Sequence, residues 1–294
     1  MKTLTVITTT YNRDYCLHQV YESLLRQTSD DFLWLIIDDG STDHTKELVY
    51  GWIEEGKIEI KYVYKPNGGM HTVRNRAYEL CDTELNVIID SDDWMTDDAV
   101  EQIVRFWKER GKSCYAGIIS NNISPTGKLI GSELPEGIHD CTITDLFGKY
   151  GVKGDKKLIY RSELSKLYPY PEFEGEKFYP ASYKFRLLDR DYTMLIMERF
   201  TCVVDYNEDS MSNAASKNRQ YKNCCRGFAH YRNEMIKLSS SSSFKFRNSV
   251  HYIAESLFAK DKAFIKNSNA KGWTVVALPL GFTYYLYLKY KTRN

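Results

Sequence analysis

Residues 85–93, LNVIIDSDD, join a short apolar run to a cluster of carboxylates. The apolar part predicts a strand buried within a sheet. Asp90, Ser91 and Asp92 then form a DxD element, whose two carboxylates are hard oxygen ligands suited to Mg²⁺ or Mn²⁺ rather than to zinc. The competing interpretation is a turn that caps the next helix, because Asp is common at helix N-termini. We expect Asp93 to cap or hydrogen-bond rather than to bind metal.

Strands and helices alternate on both sides of this stretch, which predicts an α/β fold with a mostly parallel sheet flanked by helices. From 123 to 179 the pattern loosens into a loop-rich lobe. A helix is predicted again at 182–188 and a strand at 192–204. The other predicted strands are 4–9, 32–37, 58–64 and 115–120, and the other predicted helices are 15–26, 43–55, 71–80 and 97–109.

Polar clusters follow three of the predicted strands at their C-terminal ends: TTYN at 9–12, DDGS at 38–41 and DSDD at 90–93. In open α/β sheets, ligands bind at this edge. Carboxylates brought together from separate strands repel one another unless a cation or hydrogen-bond donors balance them. We therefore expect a ligand site at this edge of the sheet.

Three further side chains have both a functional and a structural interpretation. The Asp39 carboxylate is suited to accept a hydrogen bond from a base or ribose, or it is part of an acidic turn. Tyr11 is suited to stack on a nucleobase, or it packs against the protein like many of the 23 tyrosines. Arg74 is suited to pair with phosphate, or it lies on a solvated helix face.

Together these segments resemble the inverting family-2 glycosyltransferases of the GT-A fold, over about residues 3–120. A further segment, EGEKF at 174–178, looks like part of the bacterial members that act in surface-polysaccharide assembly. The motifs that carry the main resemblance, in the expected order, are TVITTTYNR (5–13), QT (27–28), DDGSTD (38–43), NGG (67–69), RN (74–75) and DSDD (90–93).

The resemblance implies a metal-dependent hexosyltransferase with a UDP-sugar site on a Rossmann-like nucleotide-diphospho-sugar fold. An acceptor hydroxyl would attack the anomeric carbon with inversion while UDP leaves on Mg²⁺ or Mn²⁺. The implied acceptor is a saccharide, of the kind linked to polyprenyl diphosphate, in capsule, exopolysaccharide or O-antigen assembly. The implied donor-binding residues are Thr9, Tyr11 and Asp39 for uracil, Arg74 for the base or phosphate and Asp90 near the ribose, together with Asn67 and Ser91. The implied metal ligands are Asp92 and Asp90.

The attack needs a general base within hydrogen-bond reach of the hydroxyl. Related enzymes supply an Asp or Glu from the second lobe, which here implies Glu174 or Glu176, with Glu176 favoured. Relatives often read Pro-Glu a few residues later, where this chain has Pro180 and Ala181. Either Glu176 is the base, or Ala181 marks a weakened or disabled site.

The formal charge of +1 is the sum of two regions with opposite net charges. Residues 217–294 hold 15 Lys/Arg and 3 Asp/Glu, a net +12, and the remainder carries −11. We expect a catalytic domain at 1–215, with a nucleotide-sugar half at 1–120 and an acceptor lobe at 121–215. A basic helical appendage is expected at 216–294, with helices at 218–238, 244–265 and 273–290 and a serine linker at 239–243.

The last predicted helix is rich in aromatic and aliphatic residues and ends in lysines, which suits an anionic membrane surface. The alternatives are packing on the body of the protein or homodimer formation. The basic region carries no nucleic-acid reading motif, so we expect no nucleic-acid partner. No apolar stretch is long and continuous enough to span a bilayer, since residues 273–288 are interrupted by Pro279 and Gly281.

Other classes of protein find less support in the sequence. The first residues do not have the pattern of a signal peptide, so we expect none, and the seven cysteines form no CxxC pair. We therefore expect a cytoplasmic protein at the inner face of the membrane. No P-loop and no GxGxxG follows the first strand. A nucleotidyltransferase would need a basic, glycine-rich triphosphate loop early in the chain. A non-catalytic nucleotide-sugar-binding protein remains the third alternative.

Overall fold

The computed structural model describes residues 2–205 and 223–291. The chain folds into two compact units, one formed by Met1–Pro169 with Leu187–Tyr206 and the other by Tyr170–Arg186 with Asn207–Asn294. The segment Tyr170–Arg186, expected in the acceptor lobe, thus groups with the C-terminal helices. The predicted domain boundary after residue 215 lies outside the described residues and stays a prediction, as does the predicted helix start at 218.

The first unit is built on a mixed sheet, which is nine-stranded within the described residues. Short helices accompany it, including two that lie in the region predicted as loop-rich. The strands are β1 Leu4–Thr10, β2 Phe32–Asp38, β3 Ile60–Tyr64, β4 Leu85–Ile88, β5 Trp94–Met95, β6 Tyr115–Ile123, β7 Asp140–Cys141, β8 Lys157–Arg161 and β9 Thr193–Val203; the helices are α1 Asp14–Leu25, α2 Thr45–Glu55, α3 Met70–Leu80, α4 Ala99–Arg110, α5 Ile143–Gly148, α6 Ser162–Leu167 and, at the unit boundary, α7 Ser182–Leu188.

The strand order is β3-β2-β1-β4-β8-β6-β9-β5, with β7 paired to β9. The strands β3, β2, β1 and β4 are parallel, as the sequence predicts. The alternation-based prediction of the α/β class is therefore confirmed, and every predicted strand has an observed counterpart. The short strand β8 was not predicted; it lies antiparallel between β4 and β6.

Packing on both faces explains why β2 is a nearly continuous apolar run and why β1 consists of apolar and β-branched residues. Both faces of a parallel sheet are covered, so neither face needs polar side chains. On one face Tyr21 of α1 and Trp52 of α2 stack with ring centroids 4.4 Å apart, and Trp34 of β2 lies 5.6 Å from Trp52. The indole N–H of Trp34 donates to Thr8 Oγ1 at 3.0 Å, so burying it leaves no donor unpaired.

The register of the parallel strands brings the polar clusters to one edge. Thr10 pairs with Asp38, and Asp38 pairs with Tyr64. Ile7 pairs with Ile88, so the residues after each strand emerge side by side. The sheet thus places the segments that follow β1, β2, β3 and β4 together at its carboxyl edge.

The second unit contains a helical array: α8 Cys225–Leu238, α9 Ser242–Phe258, α10 Phe264–Asn267 and α11 Lys271–Lys291. Ser241, in the predicted serine linker, caps α9 by accepting the Phe244 N–H. The prediction that this helix continues to 265 is wrong, because Lys260 adopts a left-handed φ of 56° that an α-helix does not accommodate. Close approach of α11 to α9 depends on Gly281, where a Cβ would meet Ile253 Cβ at 2.7 Å.

Among the described residues, no helix is long and apolar enough to cross a membrane. The longest apolar helix, α11, contains Pro279, and its last turn carries Lys289 and Lys291.

Candidate active site

The acidic turn, Asp90–Asp93, follows β4 at the carboxyl edge of the sheet. The backbone N–H of Ile89 still pairs with Ile7 O at 2.9 Å, and the turn then closes through the Asp93 N–H, which donates to Asp90 O at 3.0 Å. Asp90 and Asp92 keep part of their carboxylate surface exposed, whereas Asp93 is buried with 7% of its side chain exposed. The turn thus presents two carboxylates outward and one inward.

Each carboxylate of the acidic turn has a cation from a different element. Arg74 of α3 lies 3.9 Å from Asp90, and Arg13, at the start of α1, lies 3.8 Å from Asp92. Lys157, the first residue of β8, lies 3.7 Å from Asp93. The expected repulsion among carboxylates at this edge is balanced by these three side chains.

Burial governs the protonation of the turn. Burial raises the pKa of Asp92, and the neighbouring Asp90 carboxylate raises it further. Burial also raises the pKa of Asp93 to about 7, although Lys157 opposes the shift. For Lys157 burial acts to lower the pKa, but the Cys202 thiol and Asp93 outweigh it and raise the pKa above the ordinary value. A cation bound at Asp92 would relieve the unfavourable Asp90–Asp92 proximity.

Asp39 organises the loop that follows β3. Its Oδ1 accepts the Lys65 ammonium at 2.8 Å and the Gly68 N–H at 2.9 Å, and its Oδ2 accepts the Gly69 N–H at 2.8 Å. The Asn67 amide donates to Asp39 O at 2.8 Å. Asp39 and Asn67, both predicted to bind the donor, are therefore in direct contact.

Gly40 lets the two segments approach this closely. Its φ is +85°, a conformation that disfavours side chains, and a Cβ would lie 2.8 Å from Asn67 N. The preceding residue Asp38 is structural, since its carboxylate accepts the Ser41 N–H and the Tyr62 hydroxyl. The DDGS motif thus combines one buried supporting carboxylate with one that fixes the loop of Asn67.

The TTYN motif joins the same surface. Asn12 has a left-handed φ of 52°. Its backbone N–H donates to Ser41 Oγ, and its side-chain oxygen accepts the Thr42 N–H, each at 2.8 Å. This connection to the DDGS segment leaves Tyr11 projecting, with 49% of its surface exposed, while Thr9 is half-buried. An uncovered aromatic ring at this edge is free to stack on a planar ligand.

The structure therefore places all the predicted donor and metal residues at or beside the carboxyl edge of one sheet. The prediction missed Arg13 and Lys157, and it also missed Asp205, whose charge acts on Asp92 and whose backbone N–H pairs with Asp93. Arg13 belongs to a motif quoted above, so its position after TTYN was the available signal.

The predicted base candidates lie in the second unit, where Glu176 has a structural partner set. Its Oε1 accepts the Arg226 N–H at 2.9 Å and Arg226 Nε at 3.2 Å, and its Oε2 accepts the Gly227 N–H at 2.7 Å. The backbone N–H groups of Arg226 and Gly227 lie in the first turn of α8, where backbone N–H groups have no acceptor within the helix. Glu176 therefore caps α8, whereas Glu174 and Ala181 are exposed.

The donor set of the acidic turn fits a magnesium-like or manganese-like ion with few protein ligands. Within residues 2–205 and 223–291, no three Asp, Glu, His or Cys side chains converge on a point that could hold a metal. Mg²⁺ is commonly held by one or two carboxylates, with substrate phosphates and water completing its shell. Asp92 and Asp90 match that arrangement.

Comparison with known proteins decides the family. The model of the family described as "Glycosyl transferase family 2" matches residues 5–164, more than half of the chain. The chain belongs to glycosyl transferase family 2. This matched region contains the carboxyl edge with Tyr11, Asp39, Arg74 and the acidic turn. The family favours the glycosyltransferase interpretation over a nucleotidyltransferase.

Named relatives share parts of this region. The poly(ribitol-phosphate) β-N-acetylglucosaminyltransferase TarP of Staphylococcus aureus is 31% identical over 40% of this chain and 36% of its own. The chondroitin synthase of Pasteurella multocida is 32% identical over 41% of this chain and 12% of its own. The chain spans less than two fifths of the length of the curated relatives it matches.

A solved structure extends the likeness to the fold. The S. aureus TarS 1–349 structure in complex with UDP-GlcNAc has a TM-score of 0.63, with 18% sequence identity, and the match covers 95% of this chain and 80% of that one. At this identity the match shows the fold alone, and it confirms the predicted GT-A architecture.

Proposed function

We propose that this protein is an inverting glycosyltransferase that moves a sugar from a UDP-sugar to an acceptor hydroxyl. The observation that carries the proposal is the carboxyl edge of the sheet, where an exposed Tyr11, the Asp39-bound loop and the outward carboxylates Asp90 and Asp92 lie together. The complex named for TarS and the activity named for TarP support a UDP-sugar donor, with UDP-GlcNAc as the first to test.

In this proposal the residues act in three groups. Tyr11 stacks on uracil, and Thr9 and Asp39 supply polar contacts to it. Arg74 and Asn67 contact the base or phosphates, and Asp90 with Ser91 lies near the ribose. Asp92, with Asp90, holds Mg²⁺ or Mn²⁺, which when bound neutralises charge on the departing diphosphate.

The acceptor side of the proposal rests on the second unit. A carboxylate takes the proton of the acceptor hydroxyl, and Glu176 is our first choice, ahead of Glu174. A carboxylate has about four lone-pair sites, so the capping contacts of Glu176 leave room for a further proton acceptor function. The alternative, a catalytically weakened site marked by Ala181, is separated by the variants argued in the Discussion.

Donor binding gives the direct test. Thermal unfolding is measured with UDP, UDP-glucose, UDP-galactose and their N-acetyl forms, each with Mn²⁺ and with EDTA. We expect UDP with Mn²⁺ to stabilise the protein by about 2.7 kcal/mol when its concentration is about 100 times Kd, and EDTA to remove most of that gain. Release of UDP from one UDP-sugar then identifies an active enzyme.

The outcomes separate the alternatives. Metal-enhanced UDP binding without UDP release in the presence of saccharide acceptors would favour a nucleotide-sugar-binding protein. The absence of any metal-enhanced UDP binding would contradict the main proposal. Stabilisation by a nucleoside triphosphate but not by UDP would instead favour a nucleotidyltransferase.

We further propose that α11 lies on the inner face of the membrane, where an acceptor linked to polyprenyl diphosphate would be found. Exposed apolar side chains cover much of this helix, and lysines stand at both of its ends. An apolar face bounded by cations is typical of helices that lie in an anionic interface. The exposed apolar residues are Val275, Val276, Leu280, Phe282, Leu286, Tyr287 and Tyr290.

Vesicle binding checks the membrane proposal. We expect the full chain to sediment with phosphatidylglycerol-containing vesicles, less so at high salt, and not with neutral vesicles. Leu280→Glu should weaken binding by about tenfold or more, because a buried leucine contributes about 1.5–3 kcal/mol. The matched control is Leu167→Glu, an exposed leucine of α6. Vesicle-independent dimerisation lost in Leu280→Glu would instead favour a self-association surface.

A further inference from the structure

Lys157 is a buried lysine that the proposed function does not use. Only 10% of its side chain is exposed. Its ammonium donates to Ile88 O at 3.2 Å and lies 3.7 Å from Asp93 Oδ2. A buried ammonium is costly unless it is paired and hydrogen-bonded, so these contacts are requirements of the fold rather than incidental surface pairs.

Two of the partners of Lys157 bracket the acidic turn, and a third, Cys202 of β9, lies outside the turn. Ile88 is the last residue of β4, immediately before the turn begins, and Asp93 is the residue at which the turn closes. One ammonium therefore links the entry and the exit of the segment that carries Asp90 and Asp92. The outward carboxylates are held by a contact on the inward side.

The antiparallel course of β8 is what brings Lys157 to this position. β8 starts where β4 ends, because Val87 pairs with Ile159 in the antiparallel register. The first residue of β8 thus lies at the carboxyl edge, among residues that follow parallel strands. A parallel strand in the same place would begin at the opposite edge of the sheet.

We propose that Lys157 and Asp93 act together as a positioning pair that fixes the acidic turn for metal-assisted donor binding. This inference rests on the proposed function, because it concerns the same carboxylates Asp90 and Asp92. Lys157 itself touches neither the donor nor the metal. It acts through the backbone of Ile88 and the carboxylate of Asp93, as groups behind metal ligands commonly do.

The neighbouring residue Lys156 offers a matched comparison. It is also buried, but its ammonium donates to the backbone carbonyls of Ile130 and Ser132, away from the acidic turn. Lys156 lies just before β8, which begins at Lys157, and the two adjacent ammonium groups have different partners. Lys156→Met removes the ammonium of a residue with a similar exposed fraction, whose hydrogen bonds lie away from the turn.

The experiment measures the Kd of UDP with Mn²⁺ and with EDTA, and takes their ratio as the metal enhancement. We expect Lys157→Met to lower the enhancement by about 10-fold to 100-fold while the Kd in EDTA stays unchanged. Lys156→Met should retain the wild-type enhancement. Circular dichroism at the assay temperature confirms that each variant is folded.

The partner residue keeps the inference testable if Lys157→Met does not fold. Asp93→Asn should also lower the enhancement, and the double variant Lys157→Met/Asp93→Asn should lose no more than the worse single variant, since contacting residues are not additive. An enhancement unchanged in Lys157→Met, or lost equally in Lys156→Met, would overturn the inference. Wild-type protein without metal-enhanced UDP binding would instead overturn the proposed function.

Discussion

Asp92→Asn is expected to lower UDP release from the preferred UDP-sugar by at least about 10²-fold in saturating Mn²⁺, because a neutral amide replaces the charged oxygen proposed to hold the ion. The amide has nearly the same shape, so packing of the turn is preserved. The Kd of UDP in EDTA should not rise, since Asp92 is proposed to contact the metal rather than uracil. A coupled assay for UDP and a binding titration measure the two quantities.

The control for Asp92→Asn removes a carboxylate from the other end of the same strand. Asp82 is exposed, precedes β4 and pairs with Lys166 at 3.3 Å on the surface. Asp82→Asn should leave UDP release unchanged, because exposed ion pairs contribute little. A normal rate in Asp92→Asn together with a large loss in Asp90→Asn would assign the metal to Asp90 instead.

Local sequence was sufficient to predict the carboxyl edge. Buried runs such as those of β1, β2 and β4 mark parallel strands, and the polar residues that follow such strands meet at one edge whatever the details of packing. The convergence of Asp39, Asp90 and Asp92 therefore follows from topology alone. The contact between Asp39 and the loop of Asn67 adds precision but does not change the location of the site.

The position of Lys157 and the capping role of Glu176 could not be predicted in this way, because they depend on pairings between distant segments. Lys157 reaches Ile88 across 69 residues only because β8 inserts antiparallel into the sheet. The residues that flank Lys157 in the sequence do not distinguish it from Lys156. Likewise, Glu176 caps a helix that begins about 50 residues later, and a capping residue is recognisable from sequence only when it adjoins its helix.

Glu176→Gln is expected to lower turnover by about 10²-fold or more, the usual contribution of a positioned general base. The same change should destabilise the protein by about 1–3 kcal/mol, because the amide offers one acceptor oxygen where two backbone N–H groups of α8 need partners. Turnover is therefore measured well below the midpoint of thermal unfolding, and both quantities are compared with the exposed control Glu172→Gln.

The pH profile separates the base from the cap. A general base gives turnover that rises with pH as the carboxyl group ionises, and Glu176→Gln should abolish that rising limb, whereas loss of a cap alone lowers stability and leaves the limb in place.

Wild-type turnover in Glu176→Gln would assign the residue to capping only. A loss confined to Glu174→Gln would then identify Glu174 as the base, and a large gain in Ala181→Glu would show that the site is weakened at position 181. The two roles of Glu176 are compatible, because capping fixes the carboxylate in one orientation. A base held in this way loses little further conformational entropy when it accepts the proton of the acceptor hydroxyl.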